Sequence, residues 1–386
     1  MTAGWTPIRL GDVVHIKHGF AFSGMGENAD KSLPIVVAIG NFDYAGGFRF
    51  DSTAVKRFRG DYPREFELLP GDVLLAMTCQ TADGEILGVP GTIPDDGRLY
   101  LHNQRLGKVE ILEPDRVHLP YIFQLARWSV FNRHLFVTAS GSKILHTSPG
   151  RIEDFEFELP PLAEQEAIAL TLGALDAKVE SNRRAIAVLD DLAAQLFKRD
   201  FLLSGGATRP LADFCSFSKG KTPKKDGGGL SLPYLTIDAL TGGDVSQVSA
   251  TGMVVADDGD VLMVMDGAAS GTVFYGRQGV VGSTFARVEV SDTGLRDVIY
   301  QALKYYGTEI RRHNTGSAIP HTDKAAVLGL EISIPADVAL VTSRLKAIRQ
   351  RVAAFASEVA RLEQTRAALL PDLISGRLRV PAEVPA

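Results

Sequence analysis

The sequence predicts an α+β chain: two mixed α/β globules and two long antiparallel coiled-coil helices, related by a pseudo-two-fold internal repeat. Three observations carry this. Motifs recur at half-chain spacing, the first part of each repeat shows short apolar runs between turn residues, and each repeat ends in a Gly- and Pro-poor heptad stretch.

The repeat is read from five pairs in order. Leu10-Gly11-Asp12 is echoed by Leu211-Ala212-Asp213 at an offset of 201, and Leu33-Pro34-Ile35 by Leu232-Pro233-Tyr234 at 199. Gly71-Asp72-Val73-Leu74 meets Gly259-Asp260-Val261-Leu262 at 188. Gly141-Ser142-x-Ile144-x-His146-Thr147 meets Gly316-Ser317-x-Ile319-x-His321-Thr322 at 175, as Pro160 meets Pro335. The offset only falls, so the second copy is a shortened version of the first, and the unit is far too long for a solenoid.

Within each copy, Pro34–Ile39, Asp72–Met77, Asp260–Met265 and Gly279–Val290 read as strands between Gly, Pro, Asn and Asp turns. Leu119–Phe131 and Leu295–Tyr306 read as helices with one apolar face. These runs define globules over residues 1–160 and 204–335.

After Pro160-Pro161, Gly173 is the one interruption until Gly205. Ile168, Leu172, Leu175, Val179, Ile186, Leu189, Ala193 and Leu196 are spaced alternately four and three, with Asn182 at the remaining seam position. Adding 173 gives Val341, Leu345, Ile348, Val352, Phe355, Val359, Leu362, Arg366 and Leu369. The helices are expected within 161–203 and 336–378, each a rod of roughly 54 Å at 1.5 Å per residue. Neither has a partner in its own copy, so they pair with each other. Ser204-Gly205-Gly206 leads straight into the second globule, which favours the antiparallel arrangement with the globules held apart. Asn182 is expected to set register or to face a polar neighbour or water, and Arg366 to snorkel out of the seam.

Composition narrows the function. The 386 residues are 45% hydrophobic and 23% charged, with net charge −5 and pI near 5.9, an ordinary globular balance that excludes a non-specific DNA coater. Residues 1–160 carry 16 basic and 20 acidic side chains, whereas 336–379 carry 8 and 4. Any DNA face on a globule must then be a local cluster. Cys79 and Cys215 have no metal or disulfide spacing, and no apolar run approaches the ~18 residues of a membrane span, so a cytoplasmic protein is expected.

Two similar globules on a rigid spacer suit two half-sites on a linear polymer, for which DNA with ~34 Å per turn is the obvious candidate. Basic clusters mark possible contacts: Lys56-Arg57-Phe58-Arg59 in the first copy, and Lys219, Lys221, Lys224 and Lys225 before Gly227-Gly228-Gly229 in the second. Arg311-Arg312-His313 leads into Thr315-Gly316-Ser317, and Lys143 and His146 occupy the equivalent first-copy loop, where a Gly-Ser turn can present backbone N–H groups to phosphate. His146 and His321 recur without a recurring acid or nucleophile, which points to positioning or packing rather than catalysis. Base-reading residues are expected among Asn, Gln, Arg and Lys of the divergent loops. There is no Asn/Asp-Pro-Pro-Tyr/Phe tetrapeptide, no P-loop and no nuclease Pro-Asp…Asp/Glu-x-Lys arrangement. Chemistry is expected on partner subunits.

Leu159-Pro160-Pro161-Leu162-Ala163-Glu164-Gln165, then Leu175-Asp176-Ala177-Lys178-Val179-Glu180-x-Asn182-Arg183-Arg184 and Leu196-Phe197-Lys198-x-x-Phe201, closely resemble the spacer helix of type I restriction–modification specificity subunits. So do the Gly-Ser-x-Ile-x-His and Gly-Asp-Val-Leu motifs and the closing Leu373-Ile374-Ser375-Gly376-Arg377-Leu378-Arg379-Val380. The resemblance covers essentially the whole chain. It implies two target recognition domains, each reading half of a bipartite double-stranded DNA target, with the helices as ruler and as docking site for two methyltransferase subunits. It further implies restriction/translocase subunits, with S-adenosylmethionine, ATP and Mg²⁺ bound by partners rather than by this chain. Pro335-Ala336-Asp337 departs from the family pattern of Pro-Pro-Leu-x-Glu-Gln, which puts partner contacts at the second helix start in doubt. The alternatives are the specificity subunit of a type II-like methyltransferase–nuclease and a coiled-coil scaffold with no DNA role. Given its net charge, the chain alone is expected to bind DNA weakly.

Overall fold

A computed structural model describes residues 4–24, 26–27, 30–43, 47–48, 55–223, 229–315, 320–335 and 337–380. Two compact units emerge: Met1–Val179 with Ala360–Ala386, and Glu180–Val359. The division falls within both long helices rather than at their ends. No helix among the described residues is long and apolar enough to cross a membrane.

In the first unit, Val14–His18, Leu106–Ile111, Val73–Ala76 and Pro90–Thr92 form one antiparallel sheet in that order. Val73–Ala76 is buried at every position, so its run is continuously apolar, whereas Val14 and Ile16 alternate with exposed His15. A second sheet joins Ile35–Val36 in parallel to Tyr100–Leu101. The run expected over Pro34–Ile39 is cut short there, because a 3-10 turn begins at Ile39 and the Asn41 side chain accepts from the Ala38 N–H at 2.9 Å. The helix expected over Leu119–Phe131 is two, Leu119–Ala126 and Ser129–Thr138, with Trp128 extended between them. Thr6–Arg9 pairs antiparallel with Glu156–Leu159, which brings the chain start to the strand that feeds the first long helix.

The second unit repeats this plan. Cys215–Lys219, Phe285–Val290, Val261–Val264 and Val273–Tyr275 form the antiparallel sheet, Ser231–Leu235 runs parallel to Gly279–Val281, and Ala207–Pro210 pairs with Glu331–Ile334. The run expected over Gly279–Val290 divides into two strands at Gly282, where a Cβ would sit 2.4 Å from the Leu235 carbonyl oxygen. The helix expected over Leu295–Tyr306 is Arg296–Tyr305. Cys79 and Cys215 are free and buried, and burial pushes the Cys215 thiol up to about 11.

The long helices are Leu162–Phe197, continued by a π turn at Lys198–Leu202, and Val338–Ile374. Every apolar seam position named above is buried or half-buried. In the first unit Glu164 meets Arg379 while Asp176 meets Arg366, so numbers fall along one strand of the pair as they rise along the other, which is antiparallel pairing. In the second unit Asn182, only 2% exposed, donates to Glu358 at 2.9 Å, so it faces a polar neighbour. Arg366 does not snorkel. Its Nε lies 3.0 Å from Asp176, whose other oxygen takes Arg127 in a short contact, and burial first, then Arg127, pushes Arg366 down to about 10. The Asp176 carboxylate offsets part of the burial cost as an ion pair, although Nε makes no well-aligned hydrogen bond to it.

Leu172→Ala, at a fully buried seam position, should cost about 2–5 kcal/mol in the denaturant-induced transition, whereas Leu170→Ala, 58% exposed on the same helix, should stay within ~0.5 kcal/mol. Equal effects would refute the seam.

Candidate nucleic-acid interface

The interface candidates follow the end of an inner strand of the antiparallel sheet in each unit. In the first, the buried strand Val73–Ala76 runs on through Met77 to Thr78–Cys79, which pairs with Leu145–His146. The Thr147 N–H donates to the Met77 carbonyl at 2.9 Å, and Ser140 and His146 exchange backbone hydrogen bonds at 2.9 and 2.8 Å. These bonds close a tight loop over 140–146. Gly141 must be glycine there, with φ +103° and a hypothetical Cβ 2.0 Å from the Ile144 carbonyl oxygen. Gly141, Ser142, Lys143, Ile144 and His146 are all exposed, while Leu145 and Thr147 point inward. The recurring motif therefore has an anchoring part and a displayed part.

The second unit builds the same arrangement. Thr322 N–H donates to the Met265 carbonyl at 2.8 Å, and Thr315 and His321 exchange backbone bonds at 2.9 and 2.7 Å. Ser317 lies outside the described residues, as do Lys224 and Lys225. Arg311 and Arg312 are exposed at the end of the helix Gly307–Arg312, and Lys221 is exposed after the first strand of the sheet.

The side chains beside the two histidines differ. His146 Nδ1 lies 3.1 Å from the Thr78 hydroxyl. His321 Nδ1 lies 2.7 Å from one oxygen of Asp266, whose other oxygen holds Lys219 at 2.7 Å. Burial works to raise the Asp266 carboxyl, but the hydrogen bonds and charges of Lys219 and His321 outweigh it and hold it below its ordinary 3.8. Lys219 and His321 are thus brought together across 102 residues of sequence. Thr78 and Asp266 were not singled out by sequence reasoning, yet a signal existed: each is the sixth residue after the aspartate of its Gly-Asp-Val-Leu motif.

The Lys56 cluster is separate. Lys56–Arg57 forms a strand against Gly26–Glu27 and Ile35. Arg57 is half-buried and donates to the carbonyls of Lys31 and Leu33 at 3.0 and 2.6 Å, which makes it a structural brace. Arg59 pairs with Asp30 at 3.0 Å on an exposed surface, and Lys56 is exposed with no partner among the described residues. Among the described residues, Lys56 is the free cation of this group.

Glu164 and Gln165, the acidic and amide positions of the helix-start motif, face inward. Gln165, 0% exposed, accepts from the His118 N–H and donates to the carbonyls of Arg116 and Pro160. Glu164 accepts from Trp5 Nε1 at 2.9 Å and pairs with Arg379. The motif is an internal clasp here, whereas Asp337 at the second helix start caps the Leu340 N–H at 3.0 Å. Beside the first helix start runs an apolar groove of about 640 Å³, lined by Pro120, Ala167, Leu170, Gly173 and Ala174 among others. Among the described residues no group of three or more His, Cys, Asp or Glu side chains converges as a metal site.

A family model for the type I restriction modification DNA specificity domain matches residues 2–190 and again 204–341. Over 134 residues the chain is 28% identical to the type I restriction enzyme MjaVIII specificity subunit of Methanocaldococcus jannaschii, covering 32% of this chain and 31% of that protein. The chain thus matches about a third of that relative's length. The fold is similar to the crystal structure of a type I restriction–modification system S subunit from M. genitalium, with TM-score 0.61 at 16% identity over 96% of each chain.

The acid-range stability of the second unit tests the Asp266 pairing. A depressed carboxyl stabilises fully above its ordinary 3.8 and ceases to as pH falls through its folded value. Wild type should exceed Asp266→Asn in thermal midpoint above that range, the gap closing below it; a gap that persists or widens in acid would refute the pairing.

Proposed function

The chain belongs to the type I restriction–modification DNA specificity family, and from that premise we propose that it reads a bipartite duplex target, one half with each specificity domain. The observation that carries this reading is the frame built twice, with an exposed histidine in the equivalent place of each and a different side chain beside it. A shared frame sets where a groove is met; Thr78 under His146 and Asp266 beside His321 orient the two exposed histidines differently there. Sequence is distinguished by such edges, and the backbone by the cations around them.

The paired helices act as the ruler between half-sites. The groove along the first helix, with Leu170 58% exposed, fits an apolar surface of a methyltransferase subunit. Adenine methylation and ATP-driven cleavage belong in this reading to partner subunits, which hold S-adenosylmethionine, ATP and Mg²⁺. This chain contributes recognition and spacing.

Co-expression with the adjacent methyltransferase, followed by single-molecule mapping of methylated adenines, should reveal a bipartite motif with a constant gap. A continuous motif, or no methylation from an assembled complex, would overturn the reading. Leu170→Asp should leave the thermal midpoint nearly unchanged and abolish co-purification with the methyltransferase. Retained co-purification would remove the groove from the docking surface.

A further inference from the structure

At one exposed place of the repeated frame the two halves differ in charge chemistry. A hydroxyl such as that of Thr78 can donate or accept, so it leaves the His146 tautomer open. A carboxylate only accepts, so Asp266 keeps the proton on Nδ1 of His321 and turns Nε2 outward. The same carboxylate ties down the Lys219 ammonium. Both side chains stay accessible, Lys219 at 45% and His321 at 51% exposure. The stem of Arg311 packs 3.4 Å from the Cβ position of Gly271, in the loop that starts at Asp266, and Lys221 is exposed two residues after Lys219. In the first unit the position equivalent to Lys219 is His18, whose Nδ1 turns to the Gly19 carbonyl at 3.0 Å.

Resting on the DNA-reading function above, we infer that Lys219 and His321 grip a phosphodiester of the DNA backbone in the second half-site, with Asp266 as the residue that positions them. Two cationic or cationisable groups converge from segments far apart in sequence, flanked by further exposed cations, which suits an anion carried on a polymer. A free lysine surrenders much rotamer freedom when it binds. One already pinned surrenders less, and that offsets the partial neutralisation by the carboxylate. Pure charge and positioning therefore predict opposite signs for loss of Asp266.

Full-length protein and its Lys219→Ala, His321→Ala and Asp266→Asn variants, each assembled with methyltransferase subunits, are titrated against mixed-sequence duplex DNA over a series of salt concentrations. Lys219→Ala should lower the magnitude of the slope of log Kobs against log salt by about 0.9, one phosphate contact, and His321→Ala should weaken binding in the same direction. Asp266→Asn should keep the slope and weaken binding by about two- to tenfold, although it removes a negative charge. Tighter binding by Asp266→Asn, or a Lys219→Ala slope equal to wild type, overturns the inference while leaving DNA reading intact. An assembled wild-type complex that fails to bind duplex at any salt overturns both. Lys219 is exposed and terminal in its strand, so its variant tests the contact even where Asp266→Asn loses stability.

Discussion

The first unit depends on one buried carboxylate. Glu164 sits 5% exposed at the start of the long helix and receives the Trp5 indole N–H from the chain start and the Arg379 guanidinium from the closing segment. Arg379 also lies over the Trp5 ring at 5.7 Å. Removing Arg379 would leave the buried Glu164 carboxylate without its ion-pair partner, at a cost of about 3–5 kcal/mol. Three segments remote in sequence therefore hold a common position. Each segment is held again next to that point: Thr6–Arg9 by its pairing with Glu156–Leu159, Gln165 by the Pro160 carbonyl and Val380 by packing on the core.

Polar groups recur in the helix seams, and each is answered locally. Asp176 takes both Arg127 from the globule and Arg366 from the opposing helix, while Asn182 takes Glu358. In the second unit Arg349, the repeat equivalent of Asp176, is paired instead with Asp297, which also accepts from the Tyr275 hydroxyl. The sign of the charge at this helix position is reversed between the halves, and the partner in each globule is reversed with it. Such pairs add little net stability, but a misplaced register would strand a buried charge. They make each globule specific to its own stretch of helix.

The candidate interface was partly legible. The Gly-Ser-x-Ile-x-His-Thr loop was readable because glycine, small polar residues and a histidine recur in one order, and backbone constraints of that kind are local. The pairing of Lys219 with Asp266 was not, because Asp266 lies outside every basic cluster and gains meaning only where the strands meet. Arg57 shows a role that a basic run does not reveal: its guanidinium holds the carbonyls of Lys31 and Leu33. A positive charge in sequence does not reveal whether water, DNA or a nearby carbonyl receives it.

The sequence by itself determined the duplication, the two heptad helices and the strand-rich globules, since periodicity and turn residues act over a few neighbours and survive any tertiary arrangement. It also determined that any DNA face must be a local cluster on an acidic chain. Only the tertiary structure decided which polar groups meet: Glu164 with Arg379 across 215 residues, His321 with Asp266 across 55, and Arg366 inward rather than out to solvent. The reason is physical. Burial and pairing energies depend on distances that chain spacing does not encode, so the same residue types can brace, clasp or display according to what the fold sets beside them.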